Sequence, residues 1–455
     1  MARHHEPSAT REPLFTDLYE LAMVGAYGAA GMRASAVFEL FVRRLPRARG
    51  FLVAAGLEQA LAYLEALRFD AADLRELERT GKVSRAVRAE LENLRFTGDV
   101  DAVPEGTLVF EDEPIVQIVA PIAEAQIVET RLMNVIHFQT LVASTAARAV
   151  LAAPGKLLVD FGARRAHGFE AGVLAARASY LAGFSGTSAV LAGVRFGIPL
   201  YGTMAHSFVE AHDDELEAFR NFARANPNDA ALLIDTYDTE RGATNVVALA
   251  REGIRARSVR IDSGDLAEHA RRVRKILDEG GLHDCTIFAS GGLDELALRD
   301  LVRGGAPIDG FGVGTRLDTS ADAPYLDCAY KLEEYAGRPR RKRSEGKATW
   351  PGRKQVYRLH ATDGAHGVMK SDVVTLAGDV EPSAQHEPLL VPVMRAGRRL
   401  ARPESLELVR ERVAAGLASL PAHLRSLEVS PRYPVRIASH LEALASELDA
   451  AILNR

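Results

Sequence analysis

Seven short apolar runs between residues 156 and 315 each end in side chains able to bind or transfer charged groups. KLLVDFG (156–162) ends in Asp160, Phe161 and Gly162, with Arg164 and Arg165 just beyond; ASYLAGFSG (178–186) leads into Ser185, Gly186, Thr187 and Ser188. IPLYGTM (198–204) carries Thr203 at its end, followed by His206 and Ser207. AALLIDTYD (230–238) offers Asp235, Thr236 and Asp238, with Thr239 next, and ARSVRIDSGD (256–265) offers Arg260, Asp262, Ser263 and Asp265. CTIFASGG (285–292) closes on Ser290, Gly291 and Gly292, and IDGFGVGT (308–315) on Gly312, Gly314 and Thr315. One polar strand exit is ordinary turn chemistry. Seven in register ask for another reason.

The residue types narrow the chemistry. Arg164 and Arg260 can form bidentate pairs with a carboxylate or a phosphate. The glycines let backbone N–H groups approach an anion closely, as at the phosphate corner of many α/β barrels. Asp262 can accept from ribose hydroxyls or help hold Mg²⁺ through water, and Phe161 can offer an aromatic face to a flat heterocycle. His206 stands at a strand exit, where α/β folds bind ligands. Taken alone, such a histidine is more often a helix-terminus or packing residue.

These residues need a frame. Apolar runs alternating with amphipathic ones, such as LAEHARRVRKILDEG (266–280), read as seven β-α repeats around a parallel sheet, and that number favours a barrel over an open sheet. Upstream, 14–30 reads as a helix with Thr16 as N-cap, SAVFELFVRR (35–44) as an alternating strand, 54–67 as a helix, 98–119 as short strands and 124–153 as a long helix. Downstream, PLLVPVMRAGRRL reads as strand, turn and strand, and RPRRKRSEGK (338–347) as a solvated or anion-contacting basic loop rather than a nuclear address. The expected layout is a flexible tail over 1–13, an N-terminal α/β domain over 14–153, a barrel over 154–325, and a segment over 326–455 that completes the flanking domain.

Composition removes several function classes. A net charge of −5 leaves no basic excess for general nucleic-acid binding. No uninterrupted apolar stretch reaches the ~20 residues that span a bilayer. Cys285 and Cys328 make neither a disulfide framework nor a zinc cluster, which fits a reducing cytoplasm.

Eight segments then point to one family. FTDLYELAM, DFGARRAHG, GTSAVLAG, GTMAHSF, DTYDT, VRIDSGDL, FGVGTRL and PGRKQVYR, in that order over about residues 14–360, resemble the signature segments of nicotinate phosphoribosyltransferases. The resemblance implies an irregular TIM-like α/β barrel with a flanking α/β domain built from the N- and C-terminal segments. It also implies a reaction: nicotinate and 5-phosphoribosyl-1-diphosphate give nicotinate mononucleotide and diphosphate, in NAD biosynthesis. ATP is the implied co-substrate with Mg²⁺, through a transient phosphohistidine at the position of His206.

Further roles follow from the same resemblance. Tyr19, Phe161, Arg164, Thr203 and Arg260 match positions around nicotinate, Tyr19 reaching in from the partner of a homodimer. Asp262, Gly291, Gly292, Gly314, Thr315 and Thr319 match positions around phosphoribosyl diphosphate. ASGGLDE departs from the family's commoner wording, which weakens the two glycines in that role. Nicotinamide phosphoribosyltransferase, or an inactive binding relative, is the alternative; no direct Mg²⁺ ligand is assigned.

Overall fold

A computed structural model of the chain describes residues 12–361, 367–379, 386–429 and 432–454. Most of the tail expected over 1–13 lies outside the described residues. The chain divides into two compact units: Met1–Leu141 with Tyr325–Arg455, and Val142–Pro324.

The first unit is organised by a seven-stranded antiparallel sheet in the order Arg338–Pro339, Cys328–Tyr335, Ser35–Val42, Pro114–Pro121, Asp99–Ala102, Val391–Arg395 and Arg398–Arg399. The last two are the strand, turn and strand read from PLLVPVMRAGRRL. SAVFELFV was expected to alternate, yet every residue from Ala36 to Val42 is buried. Its sheet is therefore covered on both faces, and strands of that kind read as nearly continuous apolar runs. Glu39, the one charged residue in the run, meets Lys354 at 2.8 Å and the Gln117 amide at 2.6 Å, so the buried carboxylate has partners.

Two upstream expectations shift in detail. The first helix runs Leu18–Ala29 with Asp17, not Thr16, at the N-cap position. The Thr16 hydroxyl instead donates to Glu20, one turn into the helix. The long helical stretch is broken into Ile122–Ile127 and Glu129–Ala152. Glu129–Ala152 is long and apolar enough to cross a bilayer, but 78% of its most apolar window is buried in the protein, as in a core helix.

The second unit holds a six-stranded parallel sheet in the order Gly186–Thr187, Leu157–Asp160, Gly310–Val313, Thr286–Ser290, Ser258–Ile261 and Ala231–Leu233. Helices follow the strands, and the one expected over 266–280 is Leu266–Glu279.

Two expected strands fail, and the closed barrel fails with them. In ASYLAGFSG, residues through Leu181 belong to the helix Phe169–Leu181, and only Gly186–Thr187 is strand. That helix is rich in alanine, a strong helix former, and is buried at every position from Gly172 to Leu181. A short, wholly buried apolar run carries no period that separates strand from helix. IPLYGTM contributes a single bridge, Leu200 to Thr187. No pairing among the described residues joins Leu200 to Ala231–Leu233, so the sheet is open at that seam. The chain between them forms His206–Glu210 and Glu215–Ala225 instead.

Candidate functional site

The C-terminal ends of the parallel strands surround a cleft of about 200 Å³. Phe161, Arg164, Arg260, Asp262, Gly291, Gly292, Gly314 and Thr315 line it together, so most of the residues singled out from sequence converge. Arg165 and Arg316 add two more guanidinium groups. With four arginines and one carboxylate, Asp262, on its wall, the cleft favours an anionic ligand.

Arg260 organises the floor. Its Nε donates to Ser290 Oγ at 2.8 Å, one Nη to Thr203 Oγ1 at 3.0 Å, and the other to Asp262 Oδ1 at 2.8 Å. Ser290 Oγ also donates to Asp262 Oδ1, at 2.5 Å. The guanidinium carbon lies 5.5 Å from the centre of the Phe161 ring, which places cation and aromatic face together. Burial pushes the Asp262 carboxyl up, but the Ser290 hydroxyl, the Arg260 guanidinium and His206 outweigh it and hold the group below its ordinary range. Asp262 is thus kept ionised beside the cleft.

The two D-x-x-D segments divide their labour in the same way. Asp238 accepts from the Arg241 N–H and Asp265 from the Glu268 N–H, so each second aspartate caps a helix. Each first aspartate is left for the site. Asp235 Oδ2 accepts from the Asp262 N–H at 2.9 Å and the Ser263 hydroxyl at 2.6 Å, while its Oδ1 is buried with no partner among the described residues. The sequence marks Asp235 and Ser290 as strand-exit residues without assigning either a role. The repeated spacing of DTYD and DSGD was the signal that could have paired Asp235 with Asp262.

His206 opens the His206–Glu210 helix, half-buried, with Nδ1 3.1 Å from Thr236 Oγ1. Its pull on the Asp262 carboxyl brings it into the same electrostatic neighbourhood. Thr319 does not line the cleft; its hydroxyl donates to the Thr315 carbonyl at 2.6 Å and steadies that turn. Tyr19 stands on Leu18–Ala29 in the other unit, 45% exposed, and burial with the nearby Glu129 and Glu20 carboxylates keeps its phenol protonated.

The turn that presents Phe161 and Arg164 is pinned from below. Asp160 accepts from the Gly162 N–H at 2.7 Å and from Thr187 Oγ1 at 2.8 Å. Asp318 lies against it with no donor to either oxygen among the described residues. Burial and the Asp160 charge push the Asp318 carboxyl far up, so it stays protonated and donates to Asp160. A Cβ at Gly162 would run into that carboxyl, which explains the glycine.

Gly291 is equally constrained. Its φ is +99°, and an added Cβ would strike the Asp262 carbonyl oxygen. Gly291→Ala should therefore destabilise the protein by about 1–3 kcal/mol and displace the Asp262 backbone. Thermal melting and kcat/KM measure the two effects; an unchanged melting temperature would show that the turn relaxes freely.

A family model described as nicotinate phosphoribosyltransferase (NAPRTase) N-terminal domain matches residues 14–137, and one described as the NAPRTase family matches residues 157–338. A nicotinate phosphoribosyltransferase of Mycobacterium tuberculosis is 50% identical over 433 residues, covering 94% of this chain and 92% of that protein. One of Bacillus subtilis is 43% identical over 357 residues, covering 76% and 73%. The crystal structure of human nicotinic acid phosphoribosyltransferase superposes with a TM-score of 0.85 at 31% identity, over 95% of this chain and 99% of that one. The matches span both units and include the strand exits that build the arginine-lined cleft. The chain belongs to the nicotinate phosphoribosyltransferase family.

Proposed function

We propose that the cleft joins nicotinate to 5-phosphoribosyl-1-diphosphate, releasing diphosphate and nicotinate mononucleotide for NAD biosynthesis. One observation carries this reading: the three-way anchoring of Arg260 on Ser290, Thr203 and Asp262, in a wall of four arginines and glycine-rich turns. The pyridine nitrogen attacks C1 of the ribose as the C1–O bond to diphosphate breaks. Both substrates are anions, and an arginine fork suits each of their charged groups.

In this reading the nicotinate carboxylate pairs with Arg164, whose side chain carries no ion pair among the described residues and is exposed at the cleft. Phe161 covers one face of the ring, and Thr203 lies beside it through Arg260. Asp262 accepts from the ribose hydroxyls. Gly291, Gly292, Gly314 and Thr315 receive the phosphates, with Thr319 behind them. An amide in place of the carboxylate would leave a guanidinium unpaired, which disfavours nicotinamide.

Mg²⁺ fits the donor set. Asp235 Oδ1 is a buried carboxylate oxygen without a partner among the described residues, and its sister oxygen Oδ2 accepts from the Asp262 N–H at 2.9 Å. One or two carboxylates completed by water and substrate phosphates are what Mg²⁺ uses, and no cluster of three ligating side chains exists among the described residues. Bound there, Mg²⁺ would neutralise charge on the phosphates. ATP is the proposed co-substrate, spent through a phosphohistidine at His206.

Assembly completes the site. Phe169, Val190 and Val194 are 79%, 66% and 76% exposed on the second unit, and Phe15, Leu18 and Tyr19 are about half exposed on the first. Apolar surface of this kind supports a homodimer in which Tyr19 reaches the partner's ring-binding face. Mixing Tyr19→Ala chains with His206→Ala chains should then restore about a quarter of the wild-type ATP-dependent increment in synthesis, because half of the randomly paired dimers keep one of two sites intact. No recovery after verified subunit exchange would put Tyr19 in its own chain's pocket. Two free cysteines, Cys285 and Cys328, fit a cytoplasmic setting.

A product assay with nicotinate, nicotinamide and quinolinate, each with and without ATP, tests the reading. Nicotinate alone should be converted efficiently, and faster with ATP. Preferred conversion of nicotinamide or quinolinate would reassign the substrate, and no turnover of any of the three would leave a binding protein.

A further inference from the structure

The basic run over 338–347 plays no part in the cleft, yet it helps build a cavity of its own. In the first unit, the strand Cys328–Tyr335, the residues following Arg338–Pro339 and the helix Ser439–Leu453 enclose about 370 Å³. That lies within the ~300–1,000 Å³ of ordinary small-molecule sites. Lys331, Arg340, Arg341 and Lys342 supply cations to its wall, while Leu448 and Ile452 give it an apolar side.

The cations are incompletely neutralised. Lys331 has Glu129 at 3.7 Å, and Arg341 Nε donates to Asp449 at 3.0 Å. The side chains of Arg340 and Lys342 carry no hydrogen bond or ion pair among the described residues. Arg341 is fixed in place by Asp449 and by the Trp350 ring, 5.4 Å from its guanidinium carbon. Its Nη1 is nevertheless buried with no acceptor among the described residues.

We propose that this cavity is a second ligand site, binding a small organic anion whose oxyanion head meets Arg341 and Lys342 and whose apolar body lies against Leu448 and Ile452. A guanidinium and an ammonium on one wall suit a phosphomonoester and a carboxylate equally. The concave shape and apolar side fit a compact molecule. An extended polyanion would need a broad basic surface, and the chain carries a net charge of −5.

The test is a fluorescence titration of the full-length protein with 1-naphthyl phosphate and, separately, with 1-naphthoate. Saturable binding of either probe is expected, weakened at least about tenfold by Arg341→Gln and by Ile452→Asp, and unchanged by Arg260→Gln in the catalytic cleft. Whichever probe binds more tightly identifies the head group. Thermal melting checks that each variant is folded; should Arg341→Gln fail to fold, Lys342→Gln, whose side chain has no partner to lose, decides alone. The proposal is overturned by no saturation with either probe up to about 1 mM. Binding unaffected by Arg341→Gln and Lys342→Gln, or abolished by Arg260→Gln, overturns it as well.

Discussion

His206→Ala should abolish phosphorylation of the protein by Mg-ATP and reduce its ATP hydrolysis on the order of 10³-fold or more. Thr236 Oγ1 lies 3.1 Å from one ring nitrogen, Nδ1. In the tautomer that donates from Nδ1 to that hydroxyl, the lone pair resides on Nε2, which has no partner among the described residues. An Nε2 attack on the γ-phosphorus forms the P–N bond as the bond to ADP breaks, giving an acid-labile, base-stable adduct. His212 provides the control on a nearby turn. Its Nδ1 lies 2.7 Å from the Phe208 carbonyl and its Nε2 3.3 Å from the Asn221 amide, so both nitrogens are occupied. His212→Ala should therefore retain the label. Some condensation of nicotinate should persist without His206, because ribosyl transfer depends on positioning and on the departing diphosphate. Phosphopeptide mapping reads the site; a label elsewhere, or ATP hydrolysis at full rate in His206→Ala, returns this histidine to a helix-terminus role.

Arg260→Ala should be the second most damaging change, lowering kcat/KM by about 10²–10³-fold, or roughly 3–4 kcal/mol of transition-state stabilisation. The loss is not of one contact. Ser290, Thr203 and Asp262 each lose a charged donor, and the Phe161 ring loses its cation. Arg260→Lys should recover little, since a single ammonium cannot span three oxygens on a fixed fork.

A second readout separates this from a general loss of fold. In the native protein Asp262 is held below its ordinary pKa despite burial, with Ser290 and Arg260 as the groups that lower it most. A depressed carboxyl contributes stability above its unfolded pKa and loses it as pH falls through the folded value. Without Arg260 the carboxyl rises, that contribution shrinks, and the acid-unfolding midpoint should move to higher pH. An unmoved midpoint together with a change in KM alone would leave Arg260 a binding residue without the organising part.

Much of this site is legible in the sequence because strand exits announce themselves. VRIDSGD places Arg260 on the last turns of a strand and Asp262 just past it, and the observed strand Ser258–Ile261 does so. The glycines of ASGG are readable for the same reason, since only glycine tolerates the φ of +99° at Gly291, whereas those of GVG make room for Phe161, which a Cβ at Gly312 or Gly314 would strike. What escapes the sequence depends on tertiary choices. Whether Asp235 or Asp238 supports the Asp262 turn is decided by which one the next helix takes as its cap. The seam beyond Leu200 is likewise invisible, because IPLYGTM has strand composition but finds one neighbour and no second. The helical fate of ASYLAG is hidden by burial on all sides, which erases the period that would reveal it.

The pairing of Ser35–Val42 with Cys328–Tyr335 carries a consequence for biosynthesis. A ribosome works from the N-terminus, so the strand made early must wait for a partner made almost three hundred residues later. Val142–Pro324 is continuous and can complete itself during that wait, whereas the first unit cannot complete its main sheet until Arg399 has emerged. Pairings of such long range are slow to find and leave an apolar strand edge open to neighbours. Joining the two terminal segments in a circularly permuted chain that starts at Val142 would make these partners nearer in sequence and shorten the exposure of that edge during synthesis.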